Sequence, residues 1–81
     1  MIRPELQWFA KQMEQKLKEN DHKQHWQNYD IDYLIHRIYQ EQDELEIAIT
    51  QKLSAREIIR ECADVANFAM MIADNVSQKN E

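Results

Sequence analysis

Apolar and polar positions alternate along most of this chain with the period of a helix. Leu6, Phe9, Ala10, Met13 and Leu17 recur at spacings of three and four. Pro4 suits a first helical position, where the missing N–H would find no partner anyway. A first helix is therefore predicted from Pro4 to near Glu19. Residues 18–29, KENDHKQHWQNY, are polar and without period, and read as a connection. Ile31, Leu34, Ile35, Ile38, Leu45, Ala48 and Ile49 then share one face at about 100° per residue. They predict a second helix that opens at Asp30 or Asp32, either a good N-cap, and ends near Thr50.

The third helix has the clearest start. Ser54-Ala55-Arg56-Glu57 is a capping box, in which the serine hydroxyl and the glutamate satisfy free amides reciprocally. From Ile58 to Val76 apolar residues cover well over half of the circumference, so this helix needs cover on more than one side. Two other helices from so short a chain do not supply it. The predicted fold is all-α: a single domain over 1–81, with three helices and an antiparallel helical hairpin, assembling by oligomerisation into a larger helical bundle. A homodimer or a dimer of dimers is the expected state. The simpler arrangement is a self-contained three-helix bundle.

Composition narrows the function. The 81 residues contain no glycine, one proline and one cysteine. Without glycine there is no dinucleotide-binding loop, no P-loop and no type I′ hairpin. A single cysteine rules out an internal disulfide; Cys62 reads as a small buried hydrophobe. The net charge of −5 speaks against a nucleic-acid partner, which calls for a basic face. No apolar run approaches the roughly 20 residues of a membrane span. The start, Met1-Ile2-Arg3-Pro4-Glu5, lacks the apolar core of a signal peptide. A cytoplasmic, reducing location is expected.

Four carboxylates carry the chemistry. Glu41 and Glu44 lie three apart on the second helix, and Glu61 and Asp64 three apart on the third, so each pair projects from one face. Glu41 falls inside the apolar stripe between Ile38 and Leu45, and Glu61 inside the broad apolar arc near Val65 and Phe68. The short connection from Thr50 to Leu53 makes the two helices antiparallel neighbours. Residues 41 and 64, and likewise 44 and 61, are symmetric about that turn. The four carboxylates should therefore come level. Gathered on partly apolar ground they repel, so either some are protonated or a cation sits among them. Oxygen ligands alone suit Mg²⁺, Mn²⁺ or Ca²⁺, and Mg²⁺ is commonly completed by substrate phosphates. The plainer alternative is two solvated acidic faces, with Arg37 pairing Glu41 and Arg60 pairing Asp64 at i, i+4.

The pattern Glu41-x-x-Glu44-Leu45 followed by Glu61-x-x-Asp64-Val65 resembles the MazG-like all-α nucleoside triphosphate pyrophosphohydrolases, a superfamily that includes the dimeric dUTPases and dCTPases. EQDELEIAI is similar to the first half of that signature, and IIRECADVANFAMMIAD to the second. ENDHKQHW is similar to the upstream segment, with Gln24 where glycine is common. The resemblance implies hydrolysis of a nucleoside triphosphate substrate to monophosphate and pyrophosphate. It implies Mg²⁺, with Mn²⁺ as a substitute, held by Glu41, Glu44, Glu61 and Asp64, and a glutamate as base. Glu44 and Glu61, level in the hairpin, are the candidates for that base.

Asn67 follows Asp64 by one turn on the same narrow polar face. The resemblance implies that it contacts the nucleotide; otherwise it bonds a neighbouring helix or solvent. Lys18 and Lys23 either touch phosphates or are solvated. Trp26 either stacks on a base or holds its loop down. His22, His25 and His36 are not expected to be ligands, because the lone Glu19-x-x-His22 is half of what a di-iron bundle requires. From another class, a non-catalytic helical binding module related to this family is the alternative function.

Overall fold

The computed structural model describes residues 1–20 and 25–79. Over these the chain is all-helical, with three α-helices and no strand. Helix α1 spans Pro4–Glu19 with proline in its first turn, as the sequence predicts. Helix α2 spans Ile31–Thr50 and α3 spans Ala55–Lys79. The connection before α2 contains a short 3-10 turn, Trp26–Asn28, that the polar sequence gave no sign of.

The helix ends follow local chemistry. Asp30 rather than Asp32 is the N-cap of α2, but its carboxylate bonds no free amide; its backbone carbonyl accepts the Leu34 N–H at 3.1 Å. At α3 the serine half of the capping box forms, with the Glu57 N–H donating to Ser54 Oγ at 3.2 Å. Between α2 and α3 the chain turns through a Schellman arrangement. The Leu53 N–H donates to the Ala48 carbonyl at 3.0 Å and the Lys52 N–H to the Ile49 carbonyl at 3.1 Å. This requires a left-handed residue, and in a glycine-free chain Lys52 takes that position at φ 54°.

Helix α3 packs against both α2 and α1, while α1 makes no close backbone approach to α2. The apolar residues fully buried at the centre are Leu34, Ala48 and Ala63. The polar Glu41, Asn67 and Asn75 are buried beside them. Apart from Ala63, the apolar side chains of α3 are half-buried or exposed. Cys62, expected inside, is half-buried, because α2 and α1 do not enclose the whole of α3. Ile35, Tyr39, Ile47, Ile49 and Val76 remain exposed. No helix among the described residues is long and apolar enough to cross a membrane.

Candidate functional site

Glu41 sits seven residues after Leu34 and seven before Ala48, two helical turns in each direction, so the residue pattern that buries those two buries it as well. Glu41 is only 6% exposed. Across from it, Glu61 and Asp64 occupy the facing turn of α3. One ligand oxygen from each of Glu41, Glu61 and Asp64 lies within 4.8 Å of the others. Glu44 adjoins Glu41 and Glu61 but is exposed. The four expected carboxylates thus divide into a packed trio and one solvent-facing neighbour.

The electrostatics of the trio run against full ionisation. Burial, with Glu44 and Asp64 adding negative charge nearby, pushes the Glu41 carboxyl up to about 7. Burial also raises Glu61, with Asp64 and Glu44 contributing repulsion. Asp64 is raised by burial despite the opposing pull of Lys16 and Arg60. Two cations offset part of this charge. Arg37 donates to Glu41 Oε1 at 2.9 Å, the pair expected at i, i+4. Lys16 Nζ lies 3.3 Å from Asp64 Oδ2. Arg60 does not pair with Asp64; its guanidinium reaches Glu19 of α1 at 2.7 Å instead. The packing of α1 on α3 offers Arg60 that partner.

Buried acceptors remain without a donor. Glu41 Oε2 and Glu61 Oε2 have no hydrogen-bond partner among the described residues, a costly state for carboxylate oxygens unless a proton or a cation serves them. Oxygens on opposite sides of a hard divalent cation stand about 4–5 Å apart, which the 4.8 Å spread accommodates. The donor set, all carboxylate oxygen, suits a hard divalent cation such as Mg²⁺, Mn²⁺ or Ca²⁺. The residues fit such an ion.

The trio borders a cavity of ≈ 630 Å³ that Glu41 and Asp64 help to line, a volume in the range of small-molecule sites. Asn67, 4% exposed, lies in its wall. Its Nδ2 donates to the Met13 carbonyl of α1 at 3.1 Å, and its Oδ1 has no partner. A carbonyl only accepts, so the amide orientation is settled and a free acceptor is left in the wall. Asn67 thus bonds a neighbouring helix with one end and keeps the other for something else.

Trp26 also lines the cavity. Its indole N–H donates to Asp74 Oδ2 at 2.9 Å, and its carbonyl accepts from Asn75 Nδ2 at 3.0 Å. It is an anchor, and its ring forms cavity wall at the same time. Tyr29, Tyr33 and Phe68 extend that aromatic lining, with the Arg37 guanidinium 5.0 Å above the Phe68 ring.

Of the two expected lysines, Lys18 is exposed and is not part of the cavity lining. Lys23, like His22, lies outside the described residues. The lysine that does reach the site is Lys16, which sequence reasoning passed over. A signal was present: Lys16 is three residues after Met13 and next to Leu17, on the stripe that α1 turns toward α3. Arg37, expected from its spacing as an ion-pair partner, also covers Phe68 at the cavity. No family model, curated protein or solved structure matches the chain.

Proposed function

We propose that this protein is a Mg²⁺-dependent nucleoside triphosphate pyrophosphohydrolase, cleaving an NTP or dNTP to the monophosphate and pyrophosphate. The observation that carries the reading is the trio Glu41, Glu61 and Asp64, with two buried oxygens lacking donors, at the edge of a cavity of nucleotide size. The ExxE and ExxD spacing of the resemblance supports it independently. So does the aromatic lining around Trp26, Tyr29 and Tyr33, which suits a planar base beside a phosphate-binding end.

In this reading α2 and α3 form an antiparallel hairpin, and Glu41, Glu44, Glu61 and Asp64 hold the ion. Bound there, Mg²⁺ or Mn²⁺ supplies positive charge for the triphosphate and acidifies water for attack at neutral pH. Glu61 or the exposed Glu44 accepts the proton of the attacking water. In the metal-free protein, burial, with the Asp64 and Glu44 charges nearby, raises Glu61 above the ordinary carboxylate value. Asn67 presents Oδ1 to a donor on the nucleotide. Trp26 holds the wall of the base pocket through Asp74 and Asn75. A second copy of the chain, in a homodimer or a dimer of dimers, covers the apolar side chains left exposed on α2 and α3.

The test is pyrophosphate release from a panel of canonical and modified NTPs and dNTPs, with Mg²⁺ and with EDTA, beside Glu61→Ala. Release that requires both Mg²⁺ and Glu61 is expected. No release from any nucleotide, by a protein with intact helicity, overturns the enzyme and leaves a helical binding module.

A further inference from the structure

Lys16 projects from the last turn of α1 into the carboxylate trio. Its side chain is only 16% exposed, and its Nζ lies 3.3 Å from Asp64 Oδ2 and 3.6 Å from Glu19 Oε1. It also lines the cavity. Glu19 is exposed and already accepts the Arg60 guanidinium at 2.7 Å. The ammonium therefore lies between a solvated carboxylate that has a better partner and a half-buried carboxylate of the site.

We propose that Lys16 is an exchangeable counter-cation: it occupies Asp64 when the centre is empty of metal, and passes to a phosphate of the substrate when a divalent cation takes Asp64. The inference rests on the metal-and-triphosphate reading above and assigns a residue that reading did not use. Three features lead to it. An ammonium and a divalent cation compete for one carboxylate, because each repels the other at this distance. The four-carbon stem of lysine is flexible, so the charge can move while the backbone of α1 stays docked. The cavity beside it is where a polyphosphate would bring new negative charge, and Asn67, which ties α1 to α3 through the Met13 carbonyl, holds the lysine's helix at that wall.

The exchange has a signature with two opposite signs. Removing the ammonium relieves competition at Asp64, so metal alone binds more tightly. It also removes a phosphate partner, so the polyanion binds less tightly. A lysine that pins α1 to α3 through Asp64 and never leaves it would give the first result without the second. A lysine that serves only to attract anions would give the second effect without depending on metal occupancy.

The experiment uses the full chain as wild type, Lys16→Met, Lys16→Gln and Lys16→Arg, each checked for helicity by circular dichroism. Mn²⁺ binding without nucleotide is read from the free-ion electron paramagnetic resonance signal. Inorganic tripolyphosphate binding at saturating Mg²⁺ is read by calorimetry. Lys16→Met should bind Mn²⁺ about fivefold tighter or more and tripolyphosphate roughly tenfold weaker or more. Lys16→Arg should retain most of the tripolyphosphate affinity. Lys16→Gln carries the same expectations should the methionine variant fail to fold. Unchanged or weaker Mn²⁺ binding in the neutral variants, with wild type binding normally, overturns the exchange and leaves the hydrolase reading intact. Absence of Mn²⁺ binding in wild type and variants alike, with nucleotide present as well as without it, overturns both. Wild type that binds both probes yet hydrolyses no nucleotide overturns the hydrolase and keeps the exchange.

Discussion

Asn67 of α3 donates its side-chain amide to the Met13 carbonyl of α1, a contact across 54 residues of chain, and so turns its oxygen away from α1. One side chain thus both fastens the helices and provides an acceptor in the cavity wall. Asn67→Ala should lower stability by about 1–3 kcal/mol, since the Met13 carbonyl loses its donor in a part-buried place. It should also raise KM for the nucleotide. Asn67→Asp restores an acceptor but places a carboxylate against a carbonyl, so it should be no more stable than the alanine variant. Urea unfolding and steady-state kinetics on the two variants separate the roles.

Trp26 can be divided by chemistry in the same way. Trp26→Phe keeps an aromatic ring in the wall and deletes the N–H that Asp74 accepts. A loss of about 1.5–3 kcal/mol of stability is expected from a hydrogen bond to a carboxylate, with KM little changed. Trp26→Ala should lose the same bond, more packing, and substrate affinity. Equal KM values for the two variants would show that the ring contributes nothing to binding.

The pH dependence of metal-free protein follows from the direction of the shifts. Glu41 is raised to about 7 in the folded state, above its value of 4.5 when unfolded, and Glu61 and Asp64 are raised too. The native state therefore binds more protons than the unfolded one. Stability from Glu41 is fully present below 4.5 and is lost as pH rises through about 7. Glu19, lowered chiefly by its bond from Arg60, works the other way, and its contribution fades below its ordinary value. In EDTA the melting temperature should rise as pH falls from 8 to 5. Saturating Mg²⁺ should reduce or reverse that slope, because the ion requires ionised carboxylates. A flat profile in EDTA would contradict a packed trio whose charge Arg37 and Lys16 only partly offset.

Lys52 offers a test away from the site. It holds a left-handed conformation at φ 54° in the turn between α2 and α3, where glycine avoids the Cβ clash. Lys52→Gly should stabilise the protein by about 1 kcal/mol, seen as a melting temperature about 4–8 °C higher for a domain of this size. The Mn²⁺ affinity should not move.

The elements of the fold were legible where local chemistry is strong. Pro4 and Ser54 mark helix starts whatever surrounds them, and the apolar spacing marks α2 and α3 as helices, although Ile35 and Ile49 of the α2 stripe are exposed. The meeting of Glu41 with Asp64 was legible from a short turn and symmetry about it. What escaped depends on tertiary placement. Of these two carboxylates, local spacing offers Arg60 only Asp64, four residues on along α3; Glu19 comes within its reach only once α1 docks. The same docking places Lys16, not Lys18, at the site. Trp26–Asn28 forms its turn against Asp74 and Asn75 of α3, and a polar stretch without period carries no trace of such distant partners.

Helix α1 has no fully buried residue and, among the described residues, packs only on α3. Local opening is cheapest where few side chains are buried, so α1 should exchange its amide hydrogens faster than the central turns of α2 and α3. Yet α1 carries the ammonium on Asp64 and the carbonyl that orients Asn67. The centre is thus completed by the element that the fold secures least. A ligand that fills it would slow exchange along a helix whose backbone it scarcely touches, making protection of α1 a readout of occupancy before any turnover is seen.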